Sequence, residues 1–151
     1  MEWASSAALS LFQQEGQGGI GFGLAHAQAM SSILRHESLV AYQRADDLFI
    51  ALYHLTQSSF PRDERYGLTA QLRRAAYSVP ANIVEGFART HPRERTQFLR
   101  IALASLSEVH YCLHAAMRLG FIDQGTHEKL EGELRRVGAP LSGLIKQQSS
   151  T

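Results

Sequence analysis

The stretch from Leu68 to Arg89, LTAQLRRAAYSVPANIVEGFAR, leaves this chain few folds to choose from. Leu68, Leu72, Ala76, Val79, Ile83 and Phe87 recur every three or four residues and predict the apolar face of a helix. Gln71, Arg74, Ser78, Asn82, Glu85 and Arg89 recur at the same interval and form a continuous polar ladder beside it. A solvated face is usually a loose mixture of Lys, Glu and Gln. This ladder is built instead of short or geometrically demanding groups, which suit polar atoms that must find specific partners in a packed setting. The ladder is therefore read as a half-buried seam between helices or subunits; its bland alternative is an ordinary surface face. Pro80 lacks an amide hydrogen and clashes one turn back, so a kink is expected near Ser78 and Val79. Both stripes stay in phase across Pro80, which favours one kinked helix over two. Gly86 gives a neighbouring backbone room to come close.

The rest of the chain reads the same way. Leu39 to Gln57 predicts a first helix, with Ala41, Ala45, Leu48, Leu52 and Leu55 on one stripe and Ser38 as its cap. Phe60-Pro61 ends it, and Phe60 is expected to plug the core. Thr90-His91-Pro92 breaks the second helix from the third, which runs from about Arg93 to Arg118. Phe98, Ala102, Leu106, Val109, Leu113 and Ala116 supply the third helix's stripe. Gly120 closes it, and Asp123 or Thr126 starts the fourth. There Leu130, Leu134, Val137, Leu141 and Leu144 repeat at coiled-coil spacing. Pro140 is expected to bend or end that helix early, and Gln147 to Thr151 to fray. Four helices joined by short turns predict an all-α, up-down-up-down four-helix bundle with a kinked second helix.

Residues 1–36 differ in composition. Gly16, Gly18, Gly19, Gly21 and Gly23 crowd together, so this segment is expected to be a flexible extension, with at most a short helix over Trp3 to Gln13. The bundle is expected over residues 37–148 and a frayed end over 149–151. Ala25-His26-Ala27 looks like a signal-peptidase site, but the start carries Glu2 and no Lys or Arg, so a secretory signal is rejected. Met30 is the expected natural start. No apolar run is long enough to span a membrane.

The residues FPRDERYGLTAQLRRAAYSVPANIVEGFAR resemble the signature of a bacterial four-helix-bundle family first met as proteins encoded in intervening sequences of large-subunit ribosomal RNA genes. Phe60, Pro61, Glu64, Tyr66, Gly67, Leu68, Gln71, Arg73, Arg74, Ala75, Ser78, Val79, Pro80, Asn82, Ile83, Glu85 and Gly86 match its pattern. The likeness continues through Phe98, Leu99, Ser105, Glu108 and Leu119-Gly120-Phe121, and spans about Leu39 to Ile145. Pro140 departs from it. The family includes relatives of the accessory protein of diversity-generating retroelements, which assemble as pentameric barrels and contact RNA and a reverse transcriptase. The resemblance thus implies a cytoplasmic homo-oligomer, a pentamer by analogy, with RNA or a reverse transcriptase as partner.

Chemistry is sparse. The single cysteine, Cys112, excludes an intramolecular disulfide and a cysteine-based zinc site, and fits a reducing cytoplasm. His110 and His114 are spaced to grip a metal, but two histidines without further ligands more often sit on a surface, so no metal or other cofactor is expected. Glu85 and Glu108 could meet as a carboxylate pair, although pairing with Arg74 or Arg89 is the expected fate. No phosphate loop or nucleophile elbow is present, and no enzyme is expected.

The net charge is only +1, so composition alone demands no nucleic-acid partner. Yet Arg65, Arg73, Arg74, Arg89, Arg93, Arg95 and Arg100 face just two carboxylates in their stretch, Glu85 and Glu94. Lysine occurs only at 129 and 146, and arginine favours planar contacts to carboxylate or phosphate. High-GC codon usage would give the same arginines. Arg65, Arg73, Arg93, Arg95 and Arg100 are the nucleic-acid candidates, and Gln71 to Arg89 along the ladder the assembly candidates. The expected function is a non-enzymatic, homo-oligomeric RNA- or nucleic-acid-binding protein or reverse-transcriptase accessory. The alternative is an oligomeric protein-interaction scaffold that binds no nucleic acid.

Overall fold

The computed structural model describes residues 34–149. The expected short helix over Trp3 to Gln13, the expected start at Met30, the segment 1–33 and the last two residues lie outside the described residues.

Four helices account for the described chain: α1 Val40–Ser59, α2 Leu68–Ala88, α3 Pro92–Arg118 and α4 Gln124–Ser149. Short 3-10 turns at Leu34–Ser38 and Arg62–Tyr66 precede α1 and α2. Each helix packs on the two beside it, α1 on α2 and α4, and α3 on α2 and α4. The core runs the length of the bundle. Leu52, Leu72, Ile83, Leu99, Leu113 and Leu141 are its largest fully buried side chains.

The stripes of apolar residues fall where their spacing places them. Leu72, Ala76, Val79 and Ile83 are buried, while Leu68 and Phe87 lie half-buried at the ends of α2. Pro80 is itself buried inside a continuous helix. Its missing hydrogen leaves the Ala76 carbonyl without the usual amide donor, the local lesion that bends helices. Pro140 does not end α4, which continues to Ser149. The buried run Leu134, Val137 and Leu141 straddles the proline, so packing holds the helix where its own propensity fails.

The helix ends reveal a further difference. Ser38 does not cap α1; its hydroxyl donates to the Arg35 carbonyl, and Leu39 stands at the cap without a side-chain bond. His91 at the start of α3 makes no capping bond either. The expected cap at Asp123 is present, its Oδ1 accepting from the Thr126 amide at 2.6 Å. This bond holds the Asp123 carboxyl below its ordinary range. Gly120 takes φ of +76°, the left-handed turn that ends α3.

The two ends of the bundle are sealed differently. At one, Phe60 is buried against Phe121, ring centres 5.4 Å apart, with Ile122 buried nearby in sequence. At the other, α2 and α3 exchange cations over rings. Arg89, just past the end of α2, lies 5.0 Å from the Phe98 ring of α3, and Arg95 of α3 lies 5.1 Å from the Phe87 ring of α2. Arg95 also donates to the Arg89 carbonyl and to Gln148 on α4. Three helices meet on one guanidinium.

Candidate functional site

The polar ladder divides into three pairs. At its centre, Asn82 Nδ2 donates to the Ser78 carbonyl at 2.7 Å and to the Ser78 hydroxyl at 2.9 Å. That hydroxyl is 2.8 Å from the hydroxyl of Ser105 on α3, which is buried. The middle of the ladder is therefore a half-buried seam between α2 and α3 of the same chain. Its ends are not. Arg74 donates to Gln71, and Arg89 donates to Glu85 in an ion pair along the helix, with Gln71, Arg74 and Arg89 exposed. Glu85 thus takes the arginine partner its position predicts, and Glu108 is exposed.

Gly86 explains how the seam closes. A Cβ built there would lie 3.2 Å from Phe98 Cβ and 3.3 Å from the Arg95 carbonyl oxygen, so α3 approaches as near as a bare backbone allows. At the other end of α2, Glu64 Oε2 accepts from the Leu68 amide at 2.8 Å and caps the helix from the preceding 3-10 turn. A Cβ on Gly67 would collide with that carboxylate. Glu64 and Gly67 are thus one capping device, and residue spacing alone did not reveal it.

The five candidate arginines do not gather into one patch. Arg65 sits beside the exposed Tyr66 before α2, its guanidinium 5.7 Å from that ring. The 21 residues of α2 separate it from the α3 start, about 30 Å along the axis. Arg73 is half-buried, donating to Thr56 at 2.7 Å and lying 4.1 Å over the Tyr53 ring. Arg95 is half-buried in the three-helix junction described above. Arg93 and Arg100 remain. Both are exposed, and they line an open concavity on the outer face of α3 with Thr96, Gln97, Ile101 and Ala104. Neither makes an ion pair with a described residue.

An apolar surface lies between α1 and α2, where Ile50, Tyr53 and Tyr77 are exposed. Phe49 makes edge contacts to both tyrosines, at 6.2 and 5.8 Å. On the other side, His110 and His114 of α3 face α4 residues that spacing within α3 could not disclose. His110 Nε2 lies 3.3 Å from Glu131, and His127 is buried with its ring centre 6.5 Å from that of His110 and 6.3 Å from that of His114. The signal was the same i, i+4 interval in α4, His127 to Glu131. Cys112 is buried, and burial, followed by the charge of Glu108, pushes its thiol up.

Among the described residues, no helix is long and apolar enough to cross a membrane. A comparison with curated proteins gives no match. Among solved structures, the fold is similar to a protein of unknown function from the S23 ribosomal protein family of Bacteroides thetaiotaomicron. That likeness has a TM-score of 0.66 at 20% identity, covering 71% of this chain and 96% of the other. Residues 37–143 match the 23S rRNA-intervening sequence proteins, a span that takes in the ladder, its glycine contact and all but the end of α4. On that match, this chain belongs to the 23S rRNA-intervening sequence protein family.

Proposed function

We propose that this chain is a non-enzymatic, homo-oligomeric bundle protein that binds structured RNA through the outer face of α3. The observation that carries the reading is the pair Arg93 and Arg100, both exposed and neither ion-paired with a described residue, on one face with an open concavity between them. Seven residues, about 10 Å along the helix axis, separate them, so two guanidiniums face one way without an internal carboxylate to satisfy. The family takes its name from intervening sequences of 23S rRNA, a setting in which RNA is a near partner. The modest net charge fits a local contact to a few phosphates and no diffuse attraction. By the resemblance above, the oligomer is a pentamer in the cytoplasm, and a reverse transcriptase is the protein partner of that class.

The test is an electrophoretic mobility shift with structured RNA at two salt concentrations, using the native chain and an Arg93→Ala, Arg100→Ala variant. Binding should weaken as salt rises. The double variant should bind less tightly and lose roughly two from the slope of log affinity against log salt. No shift at low salt, or identical slopes, overturns the reading. The alternative, a protein-interaction scaffold, is favoured by the exposed Ile50, Tyr53 and Tyr77 surface. Light scattering that gives a monomer would remove the oligomeric half of the proposal.

A further inference from the structure

We propose that Arg44 of α1 latches a hinge at Pro140 in α4, so that the continuity of α4 depends on a donor from another helix. The latch involves neither the Arg93 and Arg100 face nor RNA, and stands or falls apart from them.

The need for a donor follows from the proline. Within a helix, the carbonyl of Arg136 would accept from the amide of residue 140, but Pro140 has no amide hydrogen. The proline ring also crowds that same carbonyl and pushes it off the helix axis. An unpaired backbone carbonyl is costly, and water drawn in to satisfy it would open the helix on that side. Here the place is already filled. Arg44 Nη1 donates to the Arg136 carbonyl oxygen at 2.9 Å, across the contact between α1 and α4. The oxygen it bonds is the one that Pro140 leaves free.

Two further observations point to a latch on a hinge. Arg44 is half-buried and makes no ion pair with a described residue, although Asp47 stands one turn along α1 at the interval where such pairs form. Its guanidinium is given to a main-chain oxygen of another helix instead. The helix it reaches is weak where it is held. Gly138 and Gly143 flank Pro140, and glycine and proline are the two poorest helix formers. A Cβ on Gly143 would meet nothing within 4 Å, so no close neighbour demands a glycine there.

What the latch holds is the last part of α4, residues 141–149. Leu141 is buried, Leu144 packs half-buried against the core, and Gln148 accepts from Arg95 at 3.3 Å. Arg95 in turn donates to the Arg89 carbonyl. A bend at Pro140 would draw Leu144 and Gln148 away from these partners. One bond from α1 to the middle of α4 thereby steadies the arginine end of the bundle.

The experiment follows amide hydrogen exchange by mass spectrometry in the full native chain, in Arg44→Met, in Pro140→Ala and in the double variant. Methionine keeps most of the packing of the arginine stem and removes its donors. Circular dichroism verifies that each variant is helical. A hydrogen bond from a charged donor is strong enough that its loss should speed exchange at residues 141–145 roughly tenfold in Arg44→Met, while residues 128–135 keep the native rate. Pro140→Ala restores the missing amide. In that background, adding Arg44→Met should change the rate by less than about twofold, because the Arg136 carbonyl no longer lacks a partner. Native exchange at 141–145 in Arg44→Met, or equal acceleration with and without the proline, overturns the assignment.

Discussion

Replacing Gly86 by alanine sets two opposed effects against each other, and the geometry decides between them. In a helix interior, alanine is favoured over glycine by about 1 kcal/mol. Gly86 lies two residues from the last residue of α2, so at most that gain applies. Against it stand Phe98 Cβ at 3.2 Å and the Arg95 carbonyl at 3.3 Å. Neither is the flexible tip of a side chain, so α3 must retreat by a few tenths of an ångström over its first turns. Overpacking of this kind costs roughly 1–3 kcal/mol. The retreat also loosens the crossed contacts of Arg89 on Phe98 and Arg95 on Phe87. The net expectation for Gly86→Ala is a loss of about 1 kcal/mol. Gly132 in α4 supplies the control, because a Cβ there meets nothing within 4 Å. Gly132→Ala should gain up to about 1 kcal/mol from the same propensity. The two variants should therefore differ by about 2 kcal/mol, or roughly 8 °C in melting temperature for a bundle of this size. Urea midpoints at one fixed protein concentration measure this, since any assembly would make stability concentration-dependent. If Gly86→Ala proves as stable as Gly132→Ala, the close approach of α3 to α2 is wrong.

Two other substitutions probe the interior. Ser78→Ala strands both the buried Ser105 hydroxyl and one Asn82 hydrogen, whereas Ser105→Ala leaves Ser78 still bonded to Asn82. Ser78→Ala should cost about 1–3 kcal/mol and Ser105→Ala about 1; urea denaturation giving the reverse order would refute the seam. Because burial raises the Cys112 thiol above its ordinary value of 9.0, the folded state holds that proton more tightly than the unfolded chain. Its contribution is whole below about pH 9 and lost as pH rises towards the raised value. Above about pH 9, native protein should therefore lose stability with rising pH more steeply than Cys112→Ala; parallel curves would contradict this.

The fold was legible because periodicity is a local property that burial then enforces. Leu72, Val79 and Ile83 recur at helical spacing, and all three are buried. Gly86 carried a correct expectation for the same reason: one missing side chain announces a close neighbour, although not which one. The failures share a cause. Ser38 has cap chemistry, yet its hydroxyl found a nearer carbonyl at Arg35. Pro140 breaks helices in isolation, but Leu134, Val137 and Leu141 pack on both sides of it. For the candidate surfaces, sequence could list arginines but not their partners. Arg73 and Arg95 are taken up by Tyr53, Thr56, Phe87 and Gln148, contacts that join separate helices. His127 and Glu131 stayed hidden from His110 for that reason too.

The unlike seals at the two ends give the molecule a direction. Where Phe60 meets Phe121, separation exposes apolar area at once, and water offers nothing in exchange. Around Arg95, water can replace each hydrogen bond as it breaks, so small openings cost little. Breathing should therefore start among the arginines and run toward the rings, like a zipper whose slider rests at one end only. A partner that wedges helices apart would have its foothold at the wet end.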